Sequence, residues 1–298
     1  MVIIETIRGP FQLSEAYYVQ RLEDVHNLKK ALGPNGIVYV RQSPVPLDLG
    51  RLGVWYRPFP TILIDLRRDL SELFKEASRT CRNRISRINR VSARAMIRRN
   101  DPSAYSDFLK LHNAFVGRSK YSEPLSRSRL DRLKSCVDVF VAYFDGRPMC
   151  GHVLLRDESI GRVELLFSAS TRLEEEEDAR VVSWVNRWLH WCEIRLFKAE
   201  RMLLYDLGGA ATDTSHTAGI AQFKQSFGGT RVVEHSYIAA GPMGKLAISA
   251  FYAVRRIRYA RSMFSLAGLF ANSGWTDIRK APMTRDSGSS TSTQRVPS

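Results

Sequence analysis

Long apolar runs are missing from this chain of 298 residues: charged residues interrupt every stretch of the roughly 20 apolar positions that a membrane-spanning helix needs. Cysteine is scarce. Cys81, Cys136, Cys150 and Cys192 form no CxxC pair and no metal-ligand pattern with the six histidines. A disulfide framework and a zinc module are therefore not expected; reduced thiols and no metal are. The opening MVIIETIRGPF has no basic segment followed by an apolar core, so no signal peptide is expected. No RNP, helix-turn-helix or zinc-finger pattern is present. Acid is absent from residues 79–99, which hold eight arginines.

What is present begins with charge. The formal net charge is +15, with 44% hydrophobic residues, enough for a real core. Such an excess points to an anionic partner: nucleic acid, a phosphate-bearing ligand or an acidic membrane surface. The planar guanidinium suits phosphate, which makes Arg84, Arg87 and Arg90 candidate phosphate-binding residues.

Along the chain, Ser14–Leu32 reads as a helix and Gly36–Val40 as a strand. A loop-like region with Pro44, Pro46, Gly50, Gly53, Pro58 and Pro60 follows. Thr61–Leu66 reads as a short strand. Leu70, Leu73, Phe74, Ala77, Cys81, Ile85 and Ile88 recur at three and four residues and predict one helix to about Arg90, capped by Asp69 or Ser71. Ala93–Arg99 is a strand. Asp101-Pro102 opens a helix whose apolar side carries His112, and Leu125–Ser135 is another short helix. Val137–Phe144 and Met149–Arg156 read as a hairpin around Asp145-Gly146, with Gly161–Ser168 as a third strand. A long helix over 178–198 follows.

Residues 201–229 read as strand, small-residue loop, helix and stop. Met202–Tyr205 is the apolar strand, and Asp206 ends it. Gly208-Gly209 breaks the chain. A helix from about His216 carries Ile220, Phe223 and Phe227 near one face, and Gly228-Gly229 stops it. Residues 231–239 resume as a strand. A charge at a strand end, a close-approach loop and a helix N-terminus are useful parts of a site.

The wording of this stretch, Tyr205-Asp206-x-Gly208-Gly209 and Phe223-Lys224-x-x-Phe227-Gly228-Gly229, resembles the C-terminal signature of the FemAB-like branch of GNAT acyltransferases. Thr61-x-x-x-Asp65-Leu66 and Arg82-x-x-Ile85 add a second match, and the resemblance covers about residues 55–240. It implies an α/β (α+β) GNAT-like acyltransferase fold: a mixed, mostly antiparallel central sheet flanked by helices, with a reduced N-terminal GNAT-like copy. The corresponding division is 1–60, a reduced N-terminal subdomain; 61–240, the transferase domain; 241–275, a basic helical segment; and 276–298, a disordered tail.

The resemblance implies an enzyme that moves an acyl or aminoacyl group from acetyl-CoA, another acyl-CoA or an aminoacyl-tRNA to an amine, with a cell-envelope or polysaccharide precursor as acceptor. It assigns catalysis to Lys224, Asp206 and Glu164. It assigns substrate binding to Phe223, Tyr205, Gly208 and Gly209. Glu164 can also be read as an edge or boundary residue pairing with Arg162 or a nearby arginine. One departure counts against the usual coenzyme A mode: five consecutive acids, Glu174–Asp178, stand where a basic glycine-containing loop normally holds pyrophosphate. A basic protein that only binds nucleic acid is the alternative, as is one that binds a membrane surface. Residues 245–264 carry five basic residues, no acid and the partial apolar stripe Leu246, Ala250, Ala253, Val254, Ile257 and Phe264. They suit peripheral contact with an acidic bilayer, so the expected location is cytoplasmic, at the inner face of the membrane.

Overall fold

The computed structural model describes residues 2–118, 124–171, 178–210 and 215–261. Among them ten strands form one sheet in the order β1-β2-β3-β10-β4-β9-β8-β7-β6-β5. In chain order they are β1 (Val2–Arg8), β2 (Phe11–Tyr17), β3 (Gly36–Ser43), β4 (Gly53–Asp65) and β5 (Ala95–Arg99), then β6 (Val137–Phe144), β7 (Arg147–Asp157), β8 (Arg162–Ser170), β9 (Leu204–Asp206) and β10 (Thr230–Ala240). Of these neighbours, β2/β3 and β8/β9 pair in parallel and the others are antiparallel. Parallel neighbours need a crossover. Helix α1 (Leu22–Leu32) supplies it for β2/β3, and α6 (Asp178–Ala199) for β8/β9.

These two units repeat one plan: an antiparallel hairpin, a helix, a parallel strand and a closing strand. The closing strands are exchanged. β4, which follows β3 in the chain, lies beside β9, and β10, which follows β9, lies beside β3. The pair β4/β10 forms the centre of the sheet over ten matched positions. The expected boundary at residue 60 therefore falls inside β4.

Two helical layers bury the sheet. On one face α6 and α3 (Arg79–Arg90) cover Ile62, Ile64, Val163, Leu165 and Tyr205. On the other, α4 (Pro102–Arg118) and α5 (Arg127–Leu133) cover Val139, Val141, Val153 and Leu155. Alternation within a strand divides the two cores, because successive side chains point to opposite faces. Asp145 and Gly146 both have positive φ, 51° and 75°, as the tight β6/β7 turn requires. The oxygen of Asp101 accepts from the amide of Ser103 at 2.7 Å at the start of α4.

Several expectations are corrected. The helix read over Ser14–Leu32 begins only at Leu22; residues to Tyr17 belong to β2, and the chain turns at Tyr18 with φ +60°. Only the second half of the proline-rich stretch before Thr61 is strand: Pro58 and Pro60 lie in β4, which starts at Gly53, whereas Pro44, Pro46 and Gly50 lie outside any strand as expected. The amide of Ala210 donates to the carbonyl of Pro60 at 2.7 Å, so the polar edge of Pro60 faces away from β10. Strand β9, on that side, pairs only with Leu63–Asp65, so the prolines interrupt no ladder.

The single basic helix is two, α2 (Leu70–Glu76) and α3. Ala77 and Ser78 between them are extended; Ser78 Oγ caps α3 by accepting from the amide of Cys81 at 3.1 Å, and its own amide donates to Ser226 at 2.9 Å. Asp69 precedes α2 but makes no side-chain cap. The strand read over 201–206 shrinks to Leu204–Asp206, with Arg201 at φ +63° and Leu203 exposed. Ile220, placed on an apolar face of α7 (Ser215–Gln225), is exposed as well. Helix α8 (Pro242–Arg261) matches the start of the basic helix. The 276–298 tail and the acids at 174–177 lie outside the described residues, as do the side chains from Tyr252 onward.

Candidate active site

The site grows from the parallel register of β8 and β9, which sets Arg162 opposite Leu204, Val163 opposite Tyr205 and Glu164 opposite Asp206. Val163 and Tyr205 face the α6 core, so Arg162, Glu164 and Asp206 share the other face. The antiparallel neighbours bring Thr61 from β4 and Glu234 from β10 to the same face, and β3 adds Gln42. All six are buried, at 4% exposure or less.

Burial at this level demands partners. One oxygen of Asp206 accepts from the hydroxyl of Thr61 and from the amide of Gly208 at 2.8 Å. The other accepts from Gln42 Nε2 at 3.1 Å and from Arg162 at 2.5 Å. Arg162 also makes a two-pronged contact with Glu234, at 2.7 and 2.8 Å, and lies 4.1 Å from the centre of the Tyr18 ring. Burial opposes its charge, but Asp206, Glu234 and Tyr18 hold the guanidinium protonated.

Glu164 is treated differently. Its expected alternative partner, Arg162, is committed to Asp206 and Glu234; Glu164 instead accepts from the Tyr18 hydroxyl at 2.6 Å. Burial, then the neighbouring Asp206 charge, push its carboxyl up to about 8, against the pull of Tyr18, Arg162 and Arg41. Asp206 and Glu234 thus divide the Arg162 guanidinium between them, and Glu164, with no bond to it, is left able to hold a proton at neutral pH.

Beyond Asp206 the parallel pair separates. Leu207 and Ala210 stay hydrogen-bonded to β4, at 3.0 and 2.7 Å, while β8 runs on to Ser170. A bulge at Leu166 (Leu154 faces Leu165, whereas Val153 faces Phe167) bends β8 at the point of divergence. Gly208 makes the departure possible. Its φ is +71°, and a Cβ there would lie 2.7 Å from the Leu165 carbonyl oxygen.

Helix α7 places Lys224 in this gap. Its ammonium donates to the carbonyl of exposed Gly209 at 2.8 Å and lies 3.6 Å from where a Gly208 Cβ would sit. Desolvation lowers the half-buried lysine to about 8, although Asp206 and Glu164 favour its charge. The structure therefore brings together Lys224, Asp206, Glu164, Gly208 and Gly209.

It places the other candidates elsewhere. Tyr205 is fully buried on the α6 face; its hydroxyl donates to Glu193 at 2.6 Å and meets His190 Nδ1 at 2.8 Å. The Tyr205 proton is thus used on Glu193, so His190 carries its own on Nδ1. Its Nε2 is a buried lone pair without a hydrogen-bond donor among the described residues. Burial, then His152, hold His190 well below the usual histidine range. Phe223 is half-buried, 5.8 Å from His190 ring to ring, with Arg187 4.5 Å above it.

His152, His190 and Glu193 offer ligand atoms within 4.8 Å of one another, a grouping that linear spacing does not reveal. The two imidazoles lie with centres 4.2 Å apart and planes tilted by 35°, and His152 bonds Glu193 at 2.9 Å and Asn186 at 2.9 Å. Both ring nitrogens of His152 are engaged by protein partners, so the group forms a hydrogen-bonded cluster in the core.

Arg84 donates to Ser183 on α6 at 2.8 Å, Arg87 lies 4.7 Å above Trp184, and Arg90 is exposed. Other members of the arginine run find acids far away in sequence: Arg94 pairs with Asp145, and Arg99 with Asp138 and Glu200.

Sequence reasoning overlooked Tyr18, Gln42 and Glu234. Only for Glu234 was there a signal, a lone acid between the apolar pair Val232-Val233 and the apolar end of its strand. Tyr18 and Gln42 sit just past or near strand ends with left-handed backbones, which no local pattern announces.

No known family profile matches this sequence, and no curated protein matches it by sequence. Solved structures do. The chain is similar to FemX, with 13% identity over 82% of this chain and 85% of that one and a TM-score of 0.57. It is also similar to the C-terminal domain (DUF2156) of a protein from Agrobacterium fabrum described as a lysylphosphatidylglycerol synthetase, with 16% identity over 83% of both chains and a TM-score of 0.54. The likeness is one of fold, and it is the fold that the Asp206 and Lys224 motifs lead one to expect: the chain is built as FemX is built.

Proposed function

We propose that the protein is an N-acyltransferase that moves an acyl or aminoacyl group from an activated donor to an amine. One observation carries the reading: a carboxyl and an ammonium, Glu164 and Lys224, both shifted to about 8, flank the point where β8 and β9 part. Titratable groups brought toward neutrality from opposite sides suit proton transfer. The donor lies along the separated strands. The acceptor nitrogen attacks the donor carbonyl carbon, and ionised Glu164 takes the amine proton through a water. The Lys224 ammonium and the Gly208-Gly209 loop face the oxyanion or a donor phosphate. As the carbon–sulfur or carbon–oxygen bond breaks, the proton returns to the leaving atom. Asp206, held by four donors, fixes the Gly208 loop through the Gly208 amide.

FemX and the synthetase domain support aminoacyl transfer within this class, with a cell-envelope acceptor; acyl-CoA remains the other donor. Arg84, Arg87 and Arg90 are assigned to the donor phosphate. Arg84 and Arg87 meet α6 at Ser183 and Trp184, and their planar guanidinium groups suit a phosphate. The reading uses no metal. Purified protein incubated with acetyl-CoA, longer acyl-CoAs or charged tRNA and a panel of amines, followed by mass spectrometry, tests it. A new amide on the acceptor is expected, and no transfer from any donor overturns it. A steep fall in donor binding with salt distinguishes tRNA from coenzyme A.

The acceptor also bears on location. Among the described residues no helix is long and apolar enough to cross a membrane. Met243 and Leu246 on α8 are 48% and 62% exposed, one turn apart on a helix with basic residues and no acid. That combination suits an anionic bilayer surface, where a lipid-linked acceptor comes within reach at the inner face of the membrane.

A further inference from the structure

Two residues that are not glycine combine a left-handed backbone with a side chain reaching a central carboxylate. Tyr18, just after β2, has φ +60° and donates to Glu164 at 2.6 Å. Gln42, near the end of β3, has φ +52° and donates to Asp206 at 3.1 Å. Both belong to the first of the two repeated units, while both carboxylates belong to the second. The amide of Tyr18 donates to the carbonyl of Arg41 at 3.0 Å, so the two turns are tied to each other.

Left-handed φ is costly for a tyrosine or a glutamine and persists only where surrounding structure over-determines it. Here the return is visible. An extended Tyr18 would continue the alternation of β2 and point away from Arg162; the turn instead lays its ring 4.1 Å from the guanidinium and aims its hydroxyl at Glu164. Ser236 Oγ fixes Gln42 by accepting from its amide at 3.3 Å.

We infer that Tyr18 is a positioning residue for Glu164: the N-terminal unit completes the site by holding, through Tyr18 and Gln42, the two carboxylates that face each other across β8 and β9. This rests on the transferase reading for its consequence but not for its geometry. The hydroxyl can donate to only one oxygen of Glu164, and the charged form gains most from it. The other groups around that carboxyl are Arg162 on its own strand, Asp206 on β9, Arg41 on β3, Tyr17 at the end of β2 and Lys224 on α7. None of them is removed when the Tyr18 hydroxyl is.

Tyr18→Phe tests the inference, since it keeps the ring over Arg162. In full-length protein labelled with 13C at the glutamate carboxyls, with the Glu164 signal assigned by its disappearance in Glu164→Gln, the midpoint of Glu164 should rise by about one unit or more. In the transfer assay the acid limb of the kcat/KM profile should move up by the same amount. In the Glu164→Gln background, adding Tyr18→Phe should change the rate by less than about twofold, because a residue acting only through Glu164 has nothing left to act on. An unchanged Glu164 midpoint overturns the inference whatever the activity, as does a full Tyr18→Phe effect in the Glu164→Gln background. A wild-type chain that transfers nothing overturns the transferase reading, and the titration alone then decides the coupling of Tyr18 to Glu164.

Discussion

Glu164 and Asp206 stand side by side in the parallel register of β8 and β9, yet Asp206 receives four donors and Glu164 one. Identical chemistry thereby acquires two roles. Asp206 is anchored by its donors, and Glu164 is left free to exchange a proton near neutrality. The difference comes from direction. The Arg162 fork points toward β10 and Glu234, away from the residue two positions along its own strand.

Transfer should show a bell-shaped dependence on pH with its maximum near 8. Glu164, raised to about 8, must lose its proton to act as a base, so the rate rises through that pH. Lys224, lowered to about 8, loses its charge above it, and the rate falls. In Lys224→Arg the alkaline limb should flatten, because arginine does not titrate there. A flat profile between pH 6 and 10 in the wild-type protein would falsify both assignments.

Stability should carry the sign of the same shift. Unfolded, Glu164 ionises near 4.5; folded, near 8. Between these values the unfolded chain binds fewer protons, so stability falls as pH rises from about 4.5 through about 8. Thermal melts of wild type and Glu164→Gln should nearly coincide at pH 4. They should diverge as pH rises, with the variant melting higher at pH 8.5. Parallel curves at all pH values would place the ionisation elsewhere.

Lys224→Met is expected to lower turnover by roughly 10²–10³, the usual range for one group stabilising an oxyanion, with little change in melting temperature. Methionine keeps the length of the side chain and the helix propensity. Phe223→Ala is the contrast: a half-buried ring against His190 and Phe227 should cost about 2 kcal/mol and reduce activity only through unfolding. Activity of the methionine variant that tracks its melting temperature would make Lys224 structural.

Gly208→Ala should both destabilise the fold and close the gap between β8 and β9. An alanine at φ +71° costs about 1–2 kcal/mol, and its Cβ would meet the Leu165 carbonyl oxygen at 2.7 Å, so β8 or the loop must shift. Gly209→Ala meets only the edge of the Phe59 ring, at 3.3 Å, and should be milder in both melting temperature and turnover.

Replacing Arg84, Arg87 and Arg90 together by Gln should weaken donor binding and lower the slope of its salt dependence by about 0.7–0.9 for each phosphate that is no longer neutralised. Single variants should differ, since Arg84 and Arg87 also meet Ser183 and Trp184 whereas Arg90 is exposed. Binding that is unchanged at every salt concentration would return the three to a solvated helix face.

Local chemistry made much of this protein legible. Period-two and period-3.6 patterns place the β6/β7 hairpin, β8, α4 and α6; Asp145-Gly146 and Gly228-Gly229 mark their turns because few other residues accept positive φ. The Asp206, Gly208 and Lys224 motif located the point where the strands part. Period says nothing about which strand pairs with which, so the exchange of β4 and β10 was out of reach, and with it the proline-bearing half of β4. Nor does it say which charge meets which. Arg99 finds Asp138 and Glu200, Arg162 finds Glu234, and Tyr18 crosses 146 residues to Glu164. A carboxylate's environment is the sum of what the whole fold brings around it. The residues that could do chemistry stand in the sequence, but which of them keeps a proton is settled only when the sheet closes over them.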